Sequence, residues 1–312
     1  MSNYIHDFSK SRWMVSNPKR LHRTGMDGKA FRCPFCPGNE KDTPPEVHRS
    51  GGGEKDGPGW SVRVVPNLFP ITDIHEVIIH SPDHNKNFDE FDIPQIELII
   101  RAYIGRYRAL KGKGKVFIFH NFSLVSGASL IHPHSQIAVV PNEISTNTLA
   151  FQPVVNIIEQ NNNFVSYCPT YSEWAYEVWI TSQNTKHVTC NFEELKKEEV
   201  KSLAEILQST IIKLKKVHNA HPHYSKKQFG YNFYIYIPQN EETNIVGANF
   251  YHTRVSPSES EGSLESEKIA TDSKNMWYLR IIPRFMERAG FELSTGIMVN
   301  SVEAKMASIE LK

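Results

Sequence analysis

The sequence predicts an α+β fold of two tandem units, each an antiparallel sheet packed with one helix. Three observations predict it. One long amphipathic stretch lies in each half of the 312-residue chain. Short apolar runs flank each stretch in the order strand, strand, helix, strand, strand. Short echoes of sequence recur at matching places in the two halves.

The first helix is the clearest element. Asp92 and Gln95 have capping-box spacing, and Pro94 falls in the first turn. Ile96, Ile99, Ile100, Tyr103, Ile104, Tyr107 and Leu110 then form a helical stripe. The second helix is expected over roughly 194–217, with the stripe Val200, Leu203, Leu207, Ile211, Leu214 and Val217. Strands are expected at 61–65, 75–80, 115–120 and 135–140, then at 163–168, 175–181, 230–237 and 277–282. Among the echoes, His75-Glu76-Val77-Ile78-Ile79 parallels Tyr176-Glu177-Val178-Trp179-Ile180, and Phe88-Asp89-Glu90-Phe91 parallels Phe192-Glu193-Glu194-Leu195. Val139-Val140-Pro141 likewise parallels Ile281-Ile282-Pro283. Residues 50–59, rich in Gly, and 256–275, rich in Ser and Glu, read as flexible insertions without regular structure.

Composition removes several function classes. A net charge of +1, from 35 basic and 34 acidic residues, argues against a general grip on nucleic acid. It leaves room for a small basic pocket holding one phosphorylated ligand. Apolar runs are too short to span a membrane, and the polar start lacks the apolar segment of a secretory signal. Cys33, Cys36, Cys168 and Cys190 are too sparse for a disulfide framework. A cytoplasmic protein with one metal site is the expectation.

Two motifs carry chemistry. In Cys33-Pro34-Phe35-Cys36, two thiolates on a tight turn can hold one zinc ion, with further ligands from elsewhere. A redox pair or two ordinary buried thiols are the alternatives. The second motif is Gly127-Ala128-Ser129-Leu130-Ile131-His132-Pro133-His134-Ser135-Gln136, running into an apolar strand. Alternation puts His132, His134 and Gln136 on one side of an extended segment. The small residues before them let a ligand approach the main chain. His221-Pro222-His223 has the same tripeptide but no strand behind it, and reads as a loop at a helix end.

The segments Phe119-His120-Asn121, Ser126-Gly127-Ala128-Ser129 and His132-Pro133-His134-Ser135-Gln136 resemble the active-site signature of galactose-1-phosphate uridylyltransferases, a family of the histidine-triad superfamily. Trp13-Met14-Val15-Ser16, Cys33 to Asn39, Asn67-Leu68-Phe69-Pro70, Ser81-Pro82-Asp83-His84 and Phe291-Glu292 extend the resemblance over nearly the whole chain. It implies two histidine-triad-like domains: 1–155, with zinc and the catalytic histidine, and 156–312, lacking the catalytic motif. It implies zinc held by Cys33, Cys36, His84 and His132, with His80 close by as a substitute for His84. His134 would be the covalent nucleophile, assisted by Gln136. Arg20, Arg23, Asn67, Asn121, Ser129, Phe291 and Glu292 would bind substrate, the last two at the sugar. The implied partners are a nucleotide sugar and a sugar 1-phosphate or phosphate, in a homodimer.

The chain also departs from the family pattern. Ser135 stands where uridylyltransferases usually have glycine, and with the run Trp277 to Pro283 it resembles the branch of ADP-glucose phosphorylases. Nucleobase and acceptor stay open, as between a transferase, a phosphorylase, a hydrolase and a nucleotide-binding protein that kept the pocket. Trp277-Tyr278-Leu279-Arg280 stands where relatives cluster histidines for a second metal, so none is expected there.

Overall fold

The computed structural model describes residues 2–8, 12–18, 20, 32–146, 148–183, 191–238 and 276–312. A hairpin of β1 (Asn3–Asp7) and β2 (Arg12–Ser16) comes first. The first half then runs β3 (His48–Gly51), β4 (Trp60–Pro66), β5 (Ile74–Ile79), α1 (Ile93–Leu110), β6 (Lys115–Phe122) and β7 (His134–Val140). The second half repeats that order as β8 (Ile157–Gln160), β9 (Phe164–Tyr167), β10 (Val178–Ser182), α2 (Lys197–Ala220), β11 (Tyr231–Tyr236) and β12 (Tyr278–Pro283). Two short helices, α3 (Gly290–Thr295) and α4 (Ala304–Glu310), close the chain.

The expected α+β architecture is present, and the two sheets are joined into one. Its ten strands run β3-β4-β5-β7-β6-β11-β12-β10-β9-β8, every neighbour antiparallel. Read inward from either edge, each half places its strands first, second, third, fifth, fourth, and the fourth strands β6 and β11 meet in the middle. Among the described residues each half has five strands where sequence periodicity shows four. The missing edge strands, His48-Arg49-Ser50-Gly51 and Ile157-Ile158-Glu159-Gln160, are short and too polar to show alternation.

Both helices lie on one face of the sheet and pack on each other. Ile96, Ile100 and Tyr103 of α1 and Leu203, Leu207 and Ile211 of α2 meet Val64, Ile137, Phe164 and Ile281 in one continuous core. The opposite face carries two smaller apolar clusters. One holds Cys33, Phe35, Trp60, Val65, Val77 and Ile79; the other holds Tyr167, Trp179 and Tyr278.

Local chemistry sets the helix starts. The Asp92 carboxylate accepts from Gln95 N–H at 3.0 Å, as the capping spacing predicts. Gln95 does not complete the box. Its side-chain amide donates to Ser61 O and His80 O, at 2.9 and 2.6 Å, and ties the helix to the sheet. The second helix starts three residues later than expected, where the Glu199 carboxylate accepts from Lys196 N–H at 2.7 Å.

Two expectations are corrected. Residues 50–59 are not irregular throughout: Ser50 and Gly51 end β3, and the Arg49 guanidinium donates to the carbonyls of Gly52, Glu54 and Gly57. Gly53 has φ +79°, and a Cβ there would stand 1.9 Å from Pro58 O. The echo of His75–Ile79 in Tyr176–Ile180 is out of phase. Val77 faces away from the helices with Val65, whereas Val178 lies in the helix-side core. A slip of one residue turns every side chain to the other face. The segment 256–275 lies outside the described residues.

Candidate active site

The site lies on the face of β5 and β7 that turns away from the helices. Register builds it: Ile79 stands opposite His134 and Val77 opposite Gln136, so all four side chains point to one side. A cavity of about 350 Å³ opens there, bounded by Pro34, Phe35, Val65, Leu68, Phe69 and Leu130. Into it come Arg20, Asn67, Ser129, His134 and Gln136, five of the residues the sequence singled out.

The geometry fixes one tautomer of His134. Its Nδ1 lies 2.8 Å from His132 O. A carbonyl only accepts, so the ring proton is on Nδ1 and the lone pair on Nε2. The ring packs edge-on against Phe35, with centroids 5.3 Å apart. Arg20 is held by donating to Phe69 O at 3.1 Å, and Asn67 Oδ1 accepts from Phe69 N–H at 2.8 Å.

Beneath β7, on the helix side, lies a buried polar layer. Ser135 Oγ sits 2.8 Å from His80 Nε2 and 2.6 Å from the Tyr103 hydroxyl. His120 Nδ1–H donates to His134 O at 2.9 Å and so holds the backbone of His134 itself. Burial drives His120 down to about 3, against the pull of that carbonyl, and drives His80 well below its ordinary value. The serine that departs from the family pattern is thus received by partners of its own.

Beside the cavity, Cys33, Cys36, His84 and His132 bring four donor atoms within 4.8 Å of one another. His84 Nδ1 and His132 Nδ1 approach Cys36 Sγ at 3.2 and 3.6 Å. His132 Nε2–H donates to Ser81 O at 2.8 Å, which turns Nδ1 toward the thiols. Glu40 braces the turn, accepting from Gly38 N–H and Trp60 Nε1–H at 2.8 and 2.9 Å. Burial pushes the Cys33 thiol up to about 11, a cost that a bound cation would remove by holding it as thiolate. The donor set therefore fits a metal ion. His80 is no substitute ligand, because it points to the opposite face.

Asn121 stands on β6 one residue past the His120–Ser135 pair, on the face that alternation shares with His134, and its Oδ1 accepts from Asn232 at 2.7 Å. Phe291 and Glu292 do not reach the cavity within this chain. They lie in α3, where Glu292 accepts from Ala289 N–H at 3.0 Å and borders a small cleft with Trp174 and Met286. Arg23 lies outside the described residues. His221 ends α2 and stacks on Tyr224 at 4.0 Å, as a loop residue would. Sequence reasoning assigned no role to His75, Phe35 or His120. Alternation marks the face of His75, but only the strand register brings it to Gln136.

Residues 72–140, from the approach to β5 through β7, match the family profile described as galactose-1-phosphate uridyl transferase, N-terminal domain. The chain is similar to that family. An ADP-glucose phosphorylase of Arabidopsis thaliana is 24% identical over 94% of this chain and 87% of its own length. A galactose-1-phosphate uridylyltransferase of Thermotoga maritima is 26% identical over 78% of this chain and 82% of its own. The crystal structure of an Arabidopsis thaliana ADP-glucose phosphorylase with bound ADP-glucose shares the fold. Its TM-score is 0.68 at 21% identity, covering 100% of this chain and 98% of that one. The motif resemblance, including its lean toward two branches, is borne out. Among the described residues no helix is long and apolar enough to cross a membrane.

Proposed function

We propose that the chain is a nucleotidyltransferase that moves a nucleoside monophosphate from a nucleoside diphosphate sugar to an acceptor phosphate through His134. The observation that carries this reading is the His134 tautomer, with Nδ1–H on His132 O and the Nε2 lone pair at a cavity shared with Gln136, Ser129, Asn67 and Arg20. Nε2 attacks the α-phosphorus, the bond from that phosphorus to the bridging oxygen breaks, and the sugar 1-phosphate leaves. An acceptor phosphate oxygen then displaces Nε2 and restores the imidazole. Gln136 and Ser129 would donate to the phosphate oxygens as charge builds, with Arg20 adding positive charge.

Two acceptors fit. A sugar 1-phosphate would make the chain a transferase of the kind named in its Thermotoga relative, and inorganic phosphate a phosphorylase of the kind named in its Arabidopsis relative. The Arabidopsis likeness spans more of the chain and favours phosphate. Cys33, Cys36, His84 and His132 would hold zinc, the ion that suits two thiolates and two imidazoles. Bound there it supplies structure, fixing the loop that presents His134. Metal analysis should find one zinc per chain, lost in Cys36→Ser. The homodimer is a proposal of the same standing, checked by light scattering.

The decisive experiment supplies α-phosphate-labelled UDP-glucose or ADP-glucose and isolates the protein. An acid-labile, base-stable label, absent from His134→Ala, is expected with one of them. Label that persists in His134→Ala, or never forms with either sugar nucleotide, would overturn the covalent reading.

A further inference from the structure

His75 lies on β5, on the cavity face and two residues from Val77, which stands opposite Gln136. It is 3% exposed. Its Nδ1 is 2.8 Å from the main-chain N–H of Ile71. A main-chain N–H can only donate, so Nδ1 carries the lone pair and the ring proton sits on Nε2. Nε2 lies 3.0 Å from Gln136 Oε1, so Nε2–H donates to that oxygen.

An amide has two ends of nearly equal shape and opposite polarity. Nothing in the Gln136 side chain itself selects which end meets a ligand. With Oε1 held by His75, the NH2 end is the one left for the cavity that Gln136 lines. The opposite orientation would set a carbonyl oxygen against phosphate oxygens and a donor against a donor at His75. Asn67 does not disturb this. Its Oδ1 is taken by Phe69 N–H, and its NH2 end lies 3.4 Å from His75 Nε2, where it offers no acceptor.

We propose that His75 is a positioning residue for nucleotidyl transfer, orienting Gln136 so that its NH2 meets the phosphate beside His134. The proposal rests on the nucleotidyl-transfer reading of His134. It predicts that the two side chains act as one unit, so the loss of either makes the other idle.

A double-mutant cycle and a spectrum test it together. His75→Leu should slow labelling roughly tenfold or more, mainly in kcat, approaching the ~10²–10³ of losing a transition-state donor. The same substitution in a Gln136→Ala background should change nothing further. His75→Gln, whose own amide N–H can replace Nε2–H, should recover part of the loss. Equal losses in both backgrounds, with unchanged thermal melting, would overturn the proposal. If His75→Leu fails to fold, His75→Gln carries the cycle. Long-range ¹H–¹⁵N spectra of histidine-labelled wild type should show the Nε2–H tautomer in the signal that His75→Gln removes. An Nδ1–H tautomer would overturn the proposal whatever the activity. A wild type that takes no label would overturn the His134 reading, while the spectrum still decides the contact to Gln136.

Discussion

Strands β7 and β12 occupy the same place in their halves, and their helix-facing sides do the same work. Ile137 and Val139 of one, and Leu279 and Ile281 of the other, are buried in the common core. Their other sides differ. At β7 the cavity face carries His134 and Gln136, and about 350 Å³ stays open. At β12 Tyr278 stacks on Trp179 and Tyr236, with centroids 4.0 and 4.9 Å apart. Arg280 lies beside them on the Glu177 carboxylate, with bonds of 2.7 and 2.8 Å. A shared topology thus fixes where a site can stand, and the side chains of one strand face decide whether there is one.

The sharpest way to break this comparison is at His134. His134→Ala should abolish the covalent label and lower turnover by ~10³-fold or more. Gln136→Ala should cost ~10²–10³ in kcat with the label still forming slowly, measured by rapid quench. In the other half, substitution should move stability and leave chemistry alone. Arg280→Ala strands the buried Glu177 charge and should cost about 3–5 kcal/mol in denaturant unfolding. The folded fraction should still label at the wild-type rate.

The buried histidines under β7 make the first half sensitive to acid. His120 is held at about 3, against ~6.5 when unfolded, so below neutrality the unfolded chain takes the proton first. That stability is complete above ~6.5 and is lost as pH falls toward 3. By pH 5 the loss should amount to about 2 kcal/mol from this group, read from unfolding at pH 7 and pH 5. The smallest expected effect distinguishes the two long helices. Asp92→Ala removes a cap and should cost about 1 kcal/mol, whereas Lys196→Ala removes none.

Much of the fold was legible because burial on one side leaves a period in the sequence. The stripes of α1 and α2 and the interior strands follow from it. The edge strands β3 and β8 were not legible, being short and polar. The repeat was legible as an order of elements but misaligned by letters, since His75-Glu76 and Tyr176-Glu177 look alike while facing opposite ways. Glu76 pairs with Arg106 of α1, and Glu177 pairs with Arg280 on the far side. The site was legible where residues are close in sequence, as in Cys33–Cys36 and His132–Gln136. Phe291 and Glu292, placed by resemblance alone, do not border the cavity of this chain.

By itself the sequence determined the two long helices, the interior strands, the repeated order and the two polar motifs, because periodicity and short motifs are local properties. Only the tertiary structure decided the ring tautomer of His134, the joining of two half-sheets into one, and the partnership of His75 with Gln136. These depend on strand register and on hydrogen-bond partners distant in the chain, and neither is written in any window of the sequence.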